Sequence, residues 1–158
     1  MQGDKIIATQ SEMDLVFNQI PQQPPFRFID RILELSTKHC IGEYTFRKNE
    51  FFYQGHFPHK PITPGVILLE AMAQTGVVAL GIFLAMKTLN SKENVITLFT
   101  DANVEFNAMV LPEEKVKIQG ELEFFRRNKI RAKVEVIKED GKSVAYGILS
   151  GMGVVIDE

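Results

Sequence analysis

The stretch PGVILLEAMAQTGVVALGIFLAMKTL, residues 64–89, decides the fold. It starts like a helix: Thr63 is the expected N-cap and Pro64 the first helical residue. At about 1.5 Å per residue such a helix is roughly 35–40 Å long. It is apolar nearly all round, which places it inside protein or inside a membrane. Glu70 and Gln74 lie within it, and neither a second apolar span nor a flanking basic cluster accompanies it. The expectation is a buried central helix and no membrane span.

Working outward, the flanks supply what could wrap it. After the helix, Val116, Ile118, Gly120, Leu122 and Phe124 alternate with Lys115, Lys117, Gln119, Glu121 and Glu123, the pattern of a half-buried antiparallel strand. Ile130, Ala132, Val134 and Val136 alternate with charged residues in the same way, with Arg126 to Asn128 as the turn between the two strands. Asp140-Gly141 is a hairpin signal. Val144, Tyr146, Ile148, Ser150, Met152 and Val154 form one face of a further strand, and Asn94 to Phe106 reads as another with a poorer pattern. Before the helix, Phe26 to Leu35 and His39 to Phe46 read as strands. A short helix is expected from Ser11, capped by Ser11 with Asp14, docking through Met13, Val16, Phe17 and Ile20 and ending at Pro21. One sheet face can then cover the central helix while the other carries the charges.

Composition agrees. The chain has 158 residues, 45% of them hydrophobic and 24% charged, which excludes a disordered chain and suits one domain over 1–158. A net charge of −2 leaves no electrostatic footprint for nucleic acid. A lone cysteine, Cys40, excludes an intramolecular disulfide framework. With no secretory pattern in Met1-Gln-Gly-Asp-Lys, the expected location is cytoplasmic.

Chemistry concentrates between Asn49 and Gln74. His56 sits in a Pro/Gly-rich loop among aromatics, and Glu70 lies on the apolar helix. A carboxyl group there must be paired or hold its proton more tightly than usual. A histidine and such a glutamate make a general base and general acid for work near neutral pH. Gly65 falls in the first helical turn, where free N–H groups and the helix dipole favour a developing oxyanion. The bland alternatives are a surface histidine, an interface carboxylate and a turn glycine. Gly76 and Gly81 suit close helix packing. His39, Cys40, His56 and His59 match no standard zinc spacing, so no metal site is expected.

Gly55-His56-Phe57-Pro58, Pro61-Ile62, Pro64-Gly65-Val66 and Glu70-Ala71-Met72-Ala73-Gln74 resemble the 3-hydroxyacyl-acyl-carrier-protein dehydratases, most closely the glutamate-type enzymes. Weaker likeness runs from about Ser11 to Val154. The resemblance implies an α+β hotdog fold, an antiparallel sheet wrapped around a long central helix. It implies removal of water from 3-hydroxyacyl thioesters on acyl carrier protein to give trans-2-enoyl thioesters, without double-bond isomerisation and without a cofactor. It further implies a homodimer with shared active sites, each joining the histidine of one subunit to the carboxylate of the other, and in some members a trimer of dimers. On this likeness His56 takes the α-proton and Glu70 protonates the leaving hydroxyl. The Gly65 N–H polarises the thioester carbonyl, the Ile62 carbonyl orients His56 and Gln74 holds Glu70. Phe57, Val66 and Leu69 line the acyl tunnel.

Three departures stand out. Gln22-Gln23 replaces the family's His-Arg before Pro24-Pro25-Phe26, a position that is not the catalytic base. Thr63 replaces a larger apolar residue. Glu105 to Met109 lacks the usual basic residues, leaving Arg126, Arg127 and Lys129 as the carrier-docking candidates. They suggest a specialised member in a polyketide, polyene or related pathway. Two other readings share these features: a hotdog thioesterase and a non-catalytic carrier-binding subunit.

Overall fold

The computed structural model describes residues 4–88 and 95–156. Helix α1 (Gln10–Gln19) is followed by strands β1 (Arg31–Leu35) and β2 (His39–Thr45), then the central helix, then β3 (Val95–Phe106), β4 (Lys115–Arg126), β5 (Lys129–Lys138) and β6 (Ser143–Val155). The strands form one antiparallel sheet in the order β1-β2-β4-β5-β6-β3. The expected ends at Leu89 and Asn94 lie outside the described residues.

The central helix runs from Gly65 to Thr88, α-helical at both ends and π-helical over Gln74–Ala79. It is long and apolar enough to cross a membrane, but here the concave sheet face covers it. Its middle, from Ala71 to Leu84, is largely buried. The approach is close because two glycines meet. A Cβ on Gly120 of β4 would lie 2.6 Å from the Gly76 Cα, and one on Gly76 would lie 2.5 Å from a Val134 methyl. Gly81 has no such need, since its Cβ would find only the Ile130 methyl at 3.8 Å. Cys40, Tyr44, Val116, Ile118, Val134, Val136 and Leu149 fill the space around the helix. Cys40 is a core residue whose thiol burial pushes up to about 12.

Several expected details are corrected. Helix α1 is capped by Thr9, not Ser11: the Thr9 hydroxyl accepts from the Glu12 N–H, and the Glu12 carboxylate accepts from the Thr9 N–H, each at 3.1 Å. Glu12 also pairs with Lys87 at the far end of the central helix. Thr63 is not a cap either. Its buried hydroxyl bonds the Tyr53 hydroxyl at 2.6 Å, and Pro64 takes the N-cap position without a side-chain bond. The first strand begins at Arg31 rather than Phe26, because the backbone of Phe26 and Phe28 bonds a glutamine side chain instead of a neighbouring strand. On β6 the helix-facing residues include Ala145, Gly147, Leu149 and Gly151, while Tyr146 and Met152 face outward. The poor pattern of β3 has a cause too: it is an edge strand, broken in register between Phe99 and Asp101, and Leu98, Phe99 and Phe106 are exposed.

The turns match their sequences. Arg127 and Asn128 take φ of 51° and 63°, the paired positive angles of a tight two-residue hairpin, and Gly141 takes 88°.

Candidate active site

His56 follows the short 3₁₀ turn Phe51–Gln54, and its N–H donates to the Phe52 carbonyl at 3.1 Å. Beyond it the chain closes on itself: the Phe57 and Lys60 N–H groups each donate to the other's carbonyl, and the Ile62 N–H donates to the His56 carbonyl at 3.1 Å. The His56-Phe57 peptide is cis. The half-buried imidazole places Nδ1 2.8 Å from the Ile62 carbonyl oxygen. A carbonyl can only accept, so Nδ1 carries the proton and Nε2 presents its lone pair. The Phe57 ring stacks on the imidazole with centroids 4.0 Å apart.

The central helix begins just after this loop. No side chain caps it, and the first amides bonded back are those of Ile67 and Leu68, both to the Pro64 carbonyl. The Gly65 and Val66 N–H groups are left at the positive end of the helix dipole. The Phe106 ring lies 3.5 Å from where a Gly65 Cβ would stand. Val66 and Phe57 are 72% and 50% exposed, and Leu69 packs partly against the core.

Glu70 stands further along the same helix. Burial pushes its carboxyl above the ordinary range, while the Gln74 amide, and to a smaller extent the Gln22 side chain, pull the other way. Gln74 is fully buried and its orientation is set by the backbone. Its Oε1 accepts from the Phe28 N–H at 2.7 Å, its Nε2 donates to the Phe26 carbonyl at 2.8 Å, and the same nitrogen reaches Glu70 Oε1 at 3.0 Å. A one-turn spacing on the helix brings the two side chains together.

Gln22 is the residue the sequence reading passed over. It entered only as a departure from a family pattern, and in the structure its Oε1 is buried without a hydrogen-bond partner among the described residues.

The candidates do not all converge. No hydrogen bond or ion pair joins His56 to Glu70 within one copy among the described residues. Arg126, Arg127 and Lys129 form the exposed β4–β5 tip, where Lys129 pairs with Met152 at one end of β6. Phe106, beside Gly65, pairs with Ala145 at the other end. At about 3.3 Å per residue the two ends are roughly 20 Å apart along the strand.

Comparison with known proteins follows the same lines. The chain is 37% identical over 132 residues to the 3-hydroxyacyl-acyl-carrier-protein dehydratase FabZ of Acetivibrio thermocellus, covering 82% of this chain and 86% of the relative. It is 33% identical over 142 residues to the FabZ of Bartonella quintana, covering 89% and 88%. Among solved structures, the dehydratase heterocomplex ApeI:P from Xenorhabdus doucetiae superimposes with a TM-score of 0.74 at 14% identity, over 90% of this chain and 91% of that one. A hypothetical thioesterase from Streptococcus pneumoniae with coenzyme A superimposes at 0.61 and 11% identity, over 81% and 88%. At such identities these two speak for the hotdog fold alone. The FabA-like domain model matches residues 20–148, most of the chain and the whole of the site just described, and the protein belongs to the FabA-like family.

Proposed function

We propose that this protein removes water from 3-hydroxyacyl thioesters carried on acyl carrier protein, giving trans-2-enoyl thioesters. The observation that carries the mechanism is the His56 tether to the Ile62 carbonyl, which leaves Nε2 as a base on the loop that leads into a helix start with no side-chain cap. The thioester carbonyl oxygen accepts from the Gly65 N–H, which makes the α-proton more acidic. His56 Nε2 removes that proton. The electron pair forms the α–β double bond as the β C–O bond breaks, and Glu70 delivers its proton to the departing hydroxyl, which leaves as water. Burial suits Glu70 to that step, because it keeps the carboxyl protonated to higher pH.

The reading requires two copies of the chain. No hydrogen bond joins His56 to Glu70 within one copy among the described residues, and on this reading each site takes His56 from one subunit and Glu70 from the other. The unpaired β3 edge, with Leu98, Phe99 and Phe106 exposed, supports a second copy docking there. The chain works as one domain, in the cytoplasm, with the apolar central helix as its core. Phe57, Val66 and Leu69 contact the acyl chain, and Arg126, Arg127 and Lys129 contact the acidic carrier. A trimer of dimers is the further assembly this reading allows, and the three departures from the family pattern point to a polyketide or related pathway.

The test is mass spectrometry of a panel of 3-hydroxyacyl carrier-protein thioesters after incubation with the enzyme. Loss of one water supports the proposal. Release of the free carrier thiol would replace it with a thioesterase, and no change on any carrier would leave a non-catalytic binding subunit.

A further inference from the structure

His56 sits in the middle of a loop that has no buried residue of its own. From Gln54 to Ile62 every residue is exposed or half-buried, while the residues on either side, Tyr53 and Thr63, are buried. Those two ends are joined. The Tyr53 and Thr63 hydroxyls lie 2.6 Å apart, a buried hydrogen bond between residues ten positions apart in the chain. Each limb of the loop is also held by a different part of the fold. On the first, the Tyr53 N–H donates to the Glu50 carbonyl at 3.2 Å, and the Glu50 carboxylate accepts from the Tyr44 hydroxyl of β2 at 2.6 Å. On the second, the Thr63 N–H donates at 2.9 Å to the carbonyl of Val110, which lies between β3 and β4.

The second limb carries the peptide group between Ile62 and Thr63, which is one rigid plane. Its oxygen accepts from His56 Nδ1 at 2.8 Å, and its N–H is the one bonded to Val110. A shift of Thr63 therefore shifts the acceptor that fixes the imidazole. From this geometry we infer that Tyr53 and Thr63 are positioning residues for His56: their hydroxyl pair ties the loop limb to limb and holds the Ile62 carbonyl where it keeps the imidazole proton on Nδ1. Burial pushes the Tyr53 phenol above its ordinary range, so it stays a neutral hydroxyl. One hydroxyl donates and the other accepts, and a group without oxygen at either place ends the bond. Thr63, smaller than the family's apolar residue at this position, thereby has a task of its own.

A bond that only stabilises and a bond that positions part company when both hydroxyls are removed. Removing one leaves the other buried without its partner, which costs stability. Replacing both by apolar groups of the same shape restores much of that stability. It does not restore position, because the direct link between the limbs is still gone. The base role of His56 rests on the dehydratase reading; its tether and its tautomer do not.

The experiment uses both differences. Full-length protein is labelled with nitrogen-15 at histidine, and the His56 signals are assigned by their loss in His56→Ala. At a pH where the ring is neutral, NMR reads which nitrogen carries the proton in native protein, Tyr53→Phe, Thr63→Val, the double variant and Thr63→Ser. The thermal midpoint and the kcat and KM for dehydration are measured alongside. Native protein is expected to hold the proton on Nδ1. In the two single variants and the double variant the share on Nε2 rises, and kcat falls about tenfold with KM within about twofold. The double variant melts above the less stable single variant while its kcat stays low. Thr63→Ser keeps a hydroxyl and regains most of what Thr63→Val loses. A proton that stays on Nδ1 in the folded variants overturns the inference, as does a kcat that recovers with the thermal midpoint or a loss of rate carried by KM alone. If one variant fails to fold, the others decide. Absence of dehydration by native protein would overturn the functional reading, while the tautomer would still decide the role of the hydroxyl pair.

Discussion

His56 stands on a loop closed by its own backbone, half-buried, with one ring nitrogen tied to a carbonyl. Glu70 stands on a helix whose next turn is sheathed by the sheet, with the Gln74 amide fixed against it. On the proposed mechanism, the contrast is how one fold would prepare a base and an acid at the same pH. The imidazole needs a free lone pair, which a tether on the opposite nitrogen provides. The carboxyl needs to retain a proton, which burial provides and hydrogen bonds temper. Environment, more than residue type, assigns the two roles.

The comparison breaks first at the two groups themselves. Glu70→Gln and His56→Ala are each expected to lower dehydration by about 10³-fold, with the circular dichroism spectrum unchanged, in the mass-spectrometric assay. Residual activity near the native level in either variant would remove that residue from the chemistry.

A second test isolates the amide between them. Gly65→Pro deletes one N–H at a first-turn position that tolerates proline, after a Pro64 already at ψ 140°. The expectation is a loss of about 10²-fold in kcat with little change in the thermal midpoint. An unchanged kcat would move the oxyanion contact elsewhere.

The wall behind Glu70 can be loosened instead. Gly120→Ala drives a methyl toward the Gly76 backbone at 2.6 Å and should cost about 2 kcal/mol in urea unfolding. Gly81→Ala, in open surroundings, should be neutral or stabilise by up to about 1 kcal/mol. Equal effects would mean that the helix does not depend on that close approach.

A gentler probe is pH. Burial raises the Glu70 pKa in the folded protein, so folding binds a proton as pH rises past the unfolded value. Stability from this group is complete below the unfolded carboxylate pKa and is lost as pH climbs through the folded one. The urea midpoint of Glu70→Gln relative to native should therefore improve across that window and be level below it. A constant difference would show that burial does not govern Glu70.

The smallest effect is expected at the basic tip. Replacing Arg126, Arg127 and Lys129 with alanine should raise KM for the carrier substrate by about fivefold at low salt, leave kcat alone, and lose its effect at high salt. A change in kcat would tie the tip to the chemistry.

Much of this was legible beforehand. The apolar helix, the charged alternation of β4 and β5 and the two tight turns each depend on neighbours a few residues away, so periodicity exposes them. The Glu70–Gln74 bond was legible for the same reason, being one helical turn. Edge strand β3 was less so, because a strand buried on neither face has no alternation to show.

What the sequence determined by itself was local: which segments are helix or strand, which groups can exchange protons, and the family motif that orders them. What tertiary structure decided was non-local. Phe26 and Phe28 gave up a strand to bind Gln74 across 48 and 46 residues. Gly76 had to meet Gly120 across the sheet. The physical reason is that a buried polar atom or a missing Cβ is satisfied by whatever the fold brings within a few ångströms, and sequence spacing carries no record of that distance.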